Sequence, residues 1–248
     1  MAENKTYNSA QRALLMIEQA IQAPGDKLAV NVLAEVFNVD PQNKAEVVRY
    51  LGLFLDLLRQ AKEEVMRLEN INQELYLQPF NDIAIWLGDI NLNGPWLTVK
   101  NKFDPGILSS LMFISDRFDW SFKEDLLENT VLDELRKEVE EFLKDIIASD
   151  LDRDFKLLLI EKLEDIRNSI LYYRFWGVKG IRRAVEESVG AVIVNRQSHT
   201  STAGVDKTKK FMQFVGRVNI VISSVTKIKE LVSPIAGKIL DIARNIGG

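Results

Sequence analysis

The stretch Asp152-Arg-Asp-Phe-Lys-Leu-Leu-Leu-Ile-Glu-Lys-Leu-Glu-Asp-Ile-Arg-Asn-Ser-Ile-Leu-Tyr-Tyr-Arg-Phe175 decides the fold class. Its stripe of Phe155, Leu158, Leu159, Leu163, Ile166, Ile170 and Tyr173 recurs at steps of three and four, with charges between. That is the period of an amphipathic helix, whereas a half-buried strand alternates every second residue. Working outward, 123–148 and 179–195 carry the same period, so three strongly patterned helices stand in succession. Farther out, 9–23 places Ala13, Leu14, Ile17, Ala20 and Ile21 on one side and stops at Pro24-Gly25. Asp26 is expected to cap a short helix through Phe37. Asp40-Pro41 reads as an N-cap followed by proline at the first helical position. It opens a long helix to about Tyr76, with a seam at Val47, Leu51, Phe54, Leu58, Ala61, Val65 and Leu68. Tyr50-Leu-Gly-Leu-Phe-Leu-Asp-Leu-Leu58 is apolar nearly all round, which predicts a middle at the centre of the core. A short helix over 80–87 runs into the turn-rich Gly88-Asp-Ile-Asn-Leu-Asn-Gly-Pro-Trp96, and a short strand around 96–99 is left open. The run 107–118 is apolar enough to be interior. The expected fold is all-α, an elongated multi-helix bundle with a C-terminal amphipathic helical tail.

At 248 residues and 46% hydrophobic, the chain buries a large core without covalent staples. Zero cysteines exclude disulfides, thiol catalysis and thiolate metal sites. The first residues lack the basic and apolar regions of a signal peptide, and no run of about eighteen apolar residues occurs. These features lead to the expectation of a cytoplasmic protein, with peripheral attachment to a membrane as the further option.

The tail sets itself apart by charge. Residues 206–248 hold eight basic and three acidic side chains, a net of +5, while the whole chain stands at −4 and residues 1–205 therefore at −9. The stretch 197–205, mostly Ser, Thr, Gly, Ala and Gln, reads as a linker between a body at 1–196 and the tail at 206–248. Along the tail, Phe211, Val215, Val218, Ile222, Val225, Ile228, Val232, Ile235, Ile239, Ile242 and Ile246 form a helical seam, which Pro234 is expected to kink. A packed helix on the body, a seam between copies and a membrane-surface element are all compatible with this pattern. The candidate contact face is Lys207, Lys210, Phe211, Phe214, Arg217, Val218, Ile222 and Lys227. A glutamate-rich face on the body (Glu124, Glu128, Glu134, Glu138, Glu140, Glu141) is either a solvated surface or the acidic ground on which the tail docks.

No catalytic, cofactor or metal motif survives inspection. His199 is the only histidine, in a polar stretch, which removes histidine triads and histidine-rich zinc sites. Ser149-Asp-Leu-Asp-Arg-Asp154 has carboxylates at alternate positions but lacks the central glycine of a calcium loop, so it reads as an inter-helix turn capping the next helix. Gly204-Val-Asp-Lys-Thr208 and Gly237-Lys238 fall short of the phosphate-loop pattern. Leu171-Tyr-Tyr-Arg-Phe-Trp-Gly-Val-Lys-Gly-Ile-Arg-Arg183 interleaves aromatics with cations, so Arg174, Lys179, Arg182 and Arg183 are candidate polyanion contacts. Against this, Ile170 and Tyr173 continue a core stripe, Gly177 and Gly180 mark a turn, and a pI near 5.3 argues against general nucleic-acid binding.

The features Leu151-Asp-Arg-Asp-Phe-Lys-Leu-Leu-Leu-Ile, Ile170-Leu-Tyr-Tyr, Gly177-Val-Lys-Gly-Ile-Arg-Arg-Ala-Val and Glu187-Ser-Val-Gly190 lie within about 142–194. This region resembles a helical pattern of uncharacterised bacterial proteins, some encoded beside mobile elements or antiphage-defence genes. The resemblance implies an all-helical, non-catalytic module, an effector or accessory protein. The residues themselves lead to a non-enzymatic, cofactor-free interaction or regulatory protein acting through a protein partner or self-association. One alternative is a defence effector whose tail acts on a membrane; a second is nucleic-acid or nucleotide binding near 172–183.

Overall fold

The computed structural model describes residues 7–121, 126–195 and 202–224, and among them are ten helices and no strand. Helices α1 (Ser9–Gln22), α2 (Ala29–Phe37), α3 (Lys44–Met66), α4 (Gln73–Gly88), α5 (Trp96–Lys100) and α6 (Gly106–Ser121) form one compact unit. Helices α7 (Asn129–Ile147), α8 (Arg153–Leu171), α9 (Tyr173–Asn195) and α10 (Thr202–Ser224) form a second. The division falls between Phe122 and Lys123. The stretch read as a linker overlaps the start of α10 at Thr202.

In the first unit, the Asn8 side chain accepts from the Gln11 N–H at 2.9 Å and its own amide donates to the Ser115 carbonyl at 3.0 Å, tying the start of α1 to α6. Ala13, Leu14, Ile17 and Ala20 are buried, as the period predicts, while Ile21 is half-buried. The cap of α2 is different from the one expected. Asp26 does not supply it; the Ala29 and Val30 N–H groups donate to the Gly94 and Leu92 carbonyls at 2.9 and 3.0 Å. In return the Trp96 N–H reaches the Lys27 carbonyl at 2.7 Å, and Leu28 bridges Pro95. The orphan donors at a helix start are thus satisfied by a second loop rather than by a side chain. Residues 96–99 form helix α5 rather than a strand, because the pairing stops at that single bridge. Two indoles hold the arrangement: Trp96 Nε1 donates to the Ala20 carbonyl and Trp86 Nε1 to the Val99 carbonyl, each at 2.8 Å.

The long helix predicted over 41–76 is corrected at both ends. Asn43, not Asp40, caps α3 by accepting from the Glu46 N–H, while Asp40 closes a turn by accepting from Gln42. The helix stops at Met66; Asn70 then takes a left-handed conformation (φ 57°), and Asn72 caps α4. Asparagine adopts that conformation more readily than most residues, and its short amide then caps the next helix. Pro79 is buried inside α4 without ending it. The middle of α3 is one-sided rather than enclosed: Phe54, Leu57 and Leu58 are buried, but Gly52, Leu55 and Asp56 are exposed. Helix α6 likewise buries Ile107, Leu111, Ile114 and Phe118 while exposing Met112 and Phe113, so it is not interior throughout.

In the second unit, Asp152 caps α8 by accepting from the Asp154 and Phe155 N–H groups. Its stripe of Phe155, Leu159, Leu163, Ile166 and Ile170 is buried against α7 and α9. Ser188 Oγ donates to the Ala184 carbonyl at 2.5 Å within α9 and lies 3.4 Å from the Lys162 carbonyl of α8. Gly177 breaks α9 near its start with φ 60° and ψ −163°, a conformation open essentially to glycine alone. At Gly180 any Cβ would overlap that of Trp176.

Candidate functional site

Helix α10 lies on α9 and on the acidic helix α7. Phe211, Met212, Phe214, Val215, Val218 and Ile222 are buried. The Phe142 ring on α7 sits 6.4 Å from that of Phe211 and 6.0 Å from that of Phe214. On the flank of this stripe, Lys207 Nζ meets Asp145 Oδ2 at 2.6 Å, with Lys210 Nζ at 3.9 Å from the same oxygen, and Arg217 Nη2 meets Glu138 Oε1 at 2.8 Å. Of the proposed contact face, Lys207, Lys210, Phe211, Phe214, Arg217, Val218 and Ile222 therefore share one surface of α10, turned toward the body; Lys227 lies outside the described residues.

Magnitudes rank these contributions. Six buried apolar side chains at about 1.5–3 kcal/mol each outweigh ion pairs whose partners are half in water, each worth about 1 kcal/mol or less. Burial holds α10 down, and the ion pairs flank its contact with α7.

The Lys207 ammonium, hydrogen-bonded to Asp145, holds that carboxyl below its ordinary value of 3.8, with the charges of Lys207 and Lys210 adding to the effect. A depressed folded-state value stabilises the fold above pH 3.8, and the contribution is lost as pH falls through the folded value. Asp145→Asn is therefore expected to lower stability by about 1 kcal/mol or less at pH 7. In melts across pH, its difference from the parent should shrink once the pH drops below 3.8. A difference that grew on acidification would contradict this pairing.

The pairs also fix a register. Lys207 with Asp145 and Arg217 with Glu138 make α10 antiparallel to α7. At about 1.5 Å rise per residue, Ser224 comes level with the first turn of α7. Tyr173 Oη accepts from the Leu127 N–H at 3.0 Å, which brings the α8–α9 turn to the same end. The acidic surface on α7 was partly legible as a glutamate-rich face. Asp145 was missed, although it stands seven residues after Glu138 and so on the same side of the helix.

The second candidate cluster is arranged differently from an exposed stacking platform. Tyr172, Tyr173 and Phe175 are buried, and the half-buried Trp176 packs edge-on to Tyr172 at 5.3 Å. Arg182 is buried and Arg183 is paired with Glu187 at 2.7 Å. Arg174 and Lys179 are half-buried on the turn around Gly177. The α7–α8 turn behaves as read from sequence, Asp152 capping and Ser149 Oγ donating to the Ile146 carbonyl at 2.6 Å.

One pattern escaped the sequence reading. Asp89-Ile-Asn-Leu-Asn-Gly94 matches the first half of a calcium loop, but its twelfth position is Lys100 rather than glutamate. Lysine ammonium groups sit on its oxygens: Lys102 Nζ on Asp89 at 2.7 Å and Lys44 Nζ on the Asn93 amide oxygen at 2.8 Å. The loop is built to pair with 25–30 and is held by those lysines. Among the described residues no group of three or more His, Cys, Asp or Glu is placed to hold a metal ion, and no helix is long and apolar enough to cross a membrane. A cleft of about 300 Å³ lies between the start of α8 and the end of α9, lined by Asp154, Phe155, Leu157, Leu158, Glu161 and Asn195. None of the candidate contact residues on α10 or in 174–183 lines it. His199 lies outside the described residues.

Comparison with protein-family models, curated proteins and solved structures finds no match to this chain.

Proposed function

We propose that this chain is a non-enzymatic interaction protein whose C-terminal segment makes contact with a protein partner, a second copy or a membrane surface. The observation that carries this reading is the apolar seam that the sequence continues past the described part of α10. Up to Ser224, the last of its described residues, the helix is held to α7 and α9 by its own apolar face. The sequence seam goes on for seven more apolar residues, Val225, Ile228, Val232, Ile235, Ile239, Ile242 and Ile246. A side chain of that size gains about 1.5–3 kcal/mol when covered, so a seam of this length favours association. The work is assigned to the cytoplasm, consistent with the absence of cysteine.

A second reading, a defence-type effector acting on a membrane, draws on the basic balance of the same segment. Residues 225–248 hold four cations against two carboxylates. Both readings give one expected outcome. A chain ending at Ser224 keeps the melting behaviour of the full protein but loses its association, read as native mass and as flotation with vesicles. Association undiminished by that truncation would contradict the proposal. So would turnover of a nucleotide or ester abolished by a single carboxylate substitution.

A further inference from the structure

We infer that Asn93 is a site of self-modification: its side-chain amide is lost by ring closure onto the Gly94 nitrogen, and the isoaspartate that follows uncaps α2. Of the asparagines in the chain, Asn93 alone is followed by glycine. Glycine has no Cβ, so the nitrogen after Asn93 is unshielded and its approach to the side-chain carbonyl carbon is sterically open. Nucleophile and electrophile belong to adjacent residues, so the attack is intramolecular and closes a succinimide. Asn93 is exposed, which gives solvent access for proton transfer and for the departure of ammonia. Its carbonyl is also polarised: Lys44 Nζ donates to the Asn93 side-chain oxygen at 2.8 Å, where negative charge develops as the carbon is attacked. One contact opposes the reaction. The Gly94 N–H is held by the Asn91 carbonyl at 2.9 Å, so ring closure waits on local openings of this turn.

The steps balance with water as the only co-reactant. The Gly94 nitrogen bonds to Asn93 Cγ, and its proton passes through solvent to Nδ2, which leaves as ammonia. Water then opens the ring at either carbonyl. Opening at Cγ restores the main chain and leaves aspartate, a carboxylate for Lys44 to meet in place of the amide. Opening at the backbone carbonyl leaves isoaspartate, in which the main chain runs through Cβ and Cγ and is longer before Gly94. The carbonyls on either side of that lengthened bond path are the caps of α2. Leu92 accepts from the Val30 N–H at 3.0 Å and Gly94 from the Ala29 N–H at 2.9 Å. The helix start fixes the spacing of the two donors, so acceptors moved apart cannot serve both. No side chain stands in, because α2 has no side-chain cap.

The test incubates the full chain at mildly alkaline pH and follows it by peptide mass mapping, isoaspartyl methyltransferase labelling, melting and amide exchange. The expected result is replacement of NH2 by OH at Asn93 ahead of every other asparagine, with methyl acceptance at that position. As isoaspartate accumulates, protection at Ala29 and Val30 should fall with it. Asn93→Gln keeps an amide for Lys44 on a longer arm that closes a ring far less readily, so that chain should hold its mass and its melting throughout. Asn93→Asp copies the other product and should melt as the parent does. Lys44→Gln should slow the conversion by about twofold to fivefold, the rate equivalent of one exposed ionic contact. Asn93 converting no faster than the other asparagines would overturn the site. Isoaspartate accumulating while Ala29 and Val30 stay protected would overturn the uncapping. So would an Asn93→Asp chain that melts as low as the aged parent, since charge rather than chain length would then be the cause. Conversion unchanged in Lys44→Gln would overturn the polarisation by Lys44.

Discussion

Phe211→Ala is expected to cost the α7–α10 unit about 3–5 kcal/mol, the usual range for removing a fully buried phenylalanine. Phe211 is 0% exposed and faces the Phe142 ring, so the substitution removes both buried area and a ring contact at the seat of α10. The comparison that gives this number meaning is Lys207→Ala and Arg217→Ala, each expected to cost about 1 kcal/mol or less, because the carboxylates they meet are 44% and 39% exposed. Chemical denaturation of the three variants separates the accounts. If the two charge variants destabilise more than Phe211→Ala, electrostatics rather than burial holds α10, and the ranking above is wrong. Raised salt should then release α10 as well, whereas burial predicts little salt dependence.

Trp96→Ala is expected to cost the α1–α6 unit about 3–5 kcal/mol, with roughly 1 kcal/mol more for the carbonyl it leaves behind. The Trp96 side chain is 0% exposed, donates to the Ala20 carbonyl at the end of α1, and packs edge-on to Trp86 at 6.0 Å. Its backbone N–H also closes the loop pair through the Lys27 carbonyl, which alanine would retain. Trp96→Phe therefore divides the effect: the ring survives, the N–H is lost, and the cost should fall to about 1–2 kcal/mol. Thermal unfolding monitored by tryptophan fluorescence should show Trp96→Ala lowering the midpoint by more than about 12 °C. A shift of a degree or two would mean that the paired loops do not depend on this indole.

The fold class was legible because the period of three and four runs through nearly every segment, and the buried faces of α1, α8 and the described part of α10 follow it, with Ile21 and Leu158 half-buried at the margins. Helix ends were less legible, for reasons visible at particular positions. Asp40-Pro41 has a strong start signal, but Asn43 makes the cap because the chain first spends Asp40 on a tight turn. The break at 67–72 rests on Asn70 and Asn72, which a seam extending to Leu68 masks from a periodicity reading. Leu28 and Pro95 pair across more than sixty intervening residues, and no local pattern announces such a partner. At the candidate site, the apolar face of α10 was readable from spacing alone. The identity of its partner was half readable: the glutamate face pointed to α7, and only the folded register selects Glu138 and Asp145 from it. The aromatic–basic stretch shows the opposite case, in which a suggestive composition is turned inward by the stripe of the preceding helix.

The central claim is that α10 belongs to the packed core of the second unit and that association is left to residues 225–248. Amide hydrogen exchange on the intact protein tests the first half directly, since exchange reports how much of a unit must open to expose each N–H. The account predicts that 211–222 exchange as slowly as 159–166 in the middle of α8, because Phe211, Val215, Val218 and Ile222 are covered as fully as Leu159, Leu163 and Ile166. Exchange over 211–222 at the rate of an unprotected peptide, with α8 still protected, would show that α10 is not seated on the body and would contradict it.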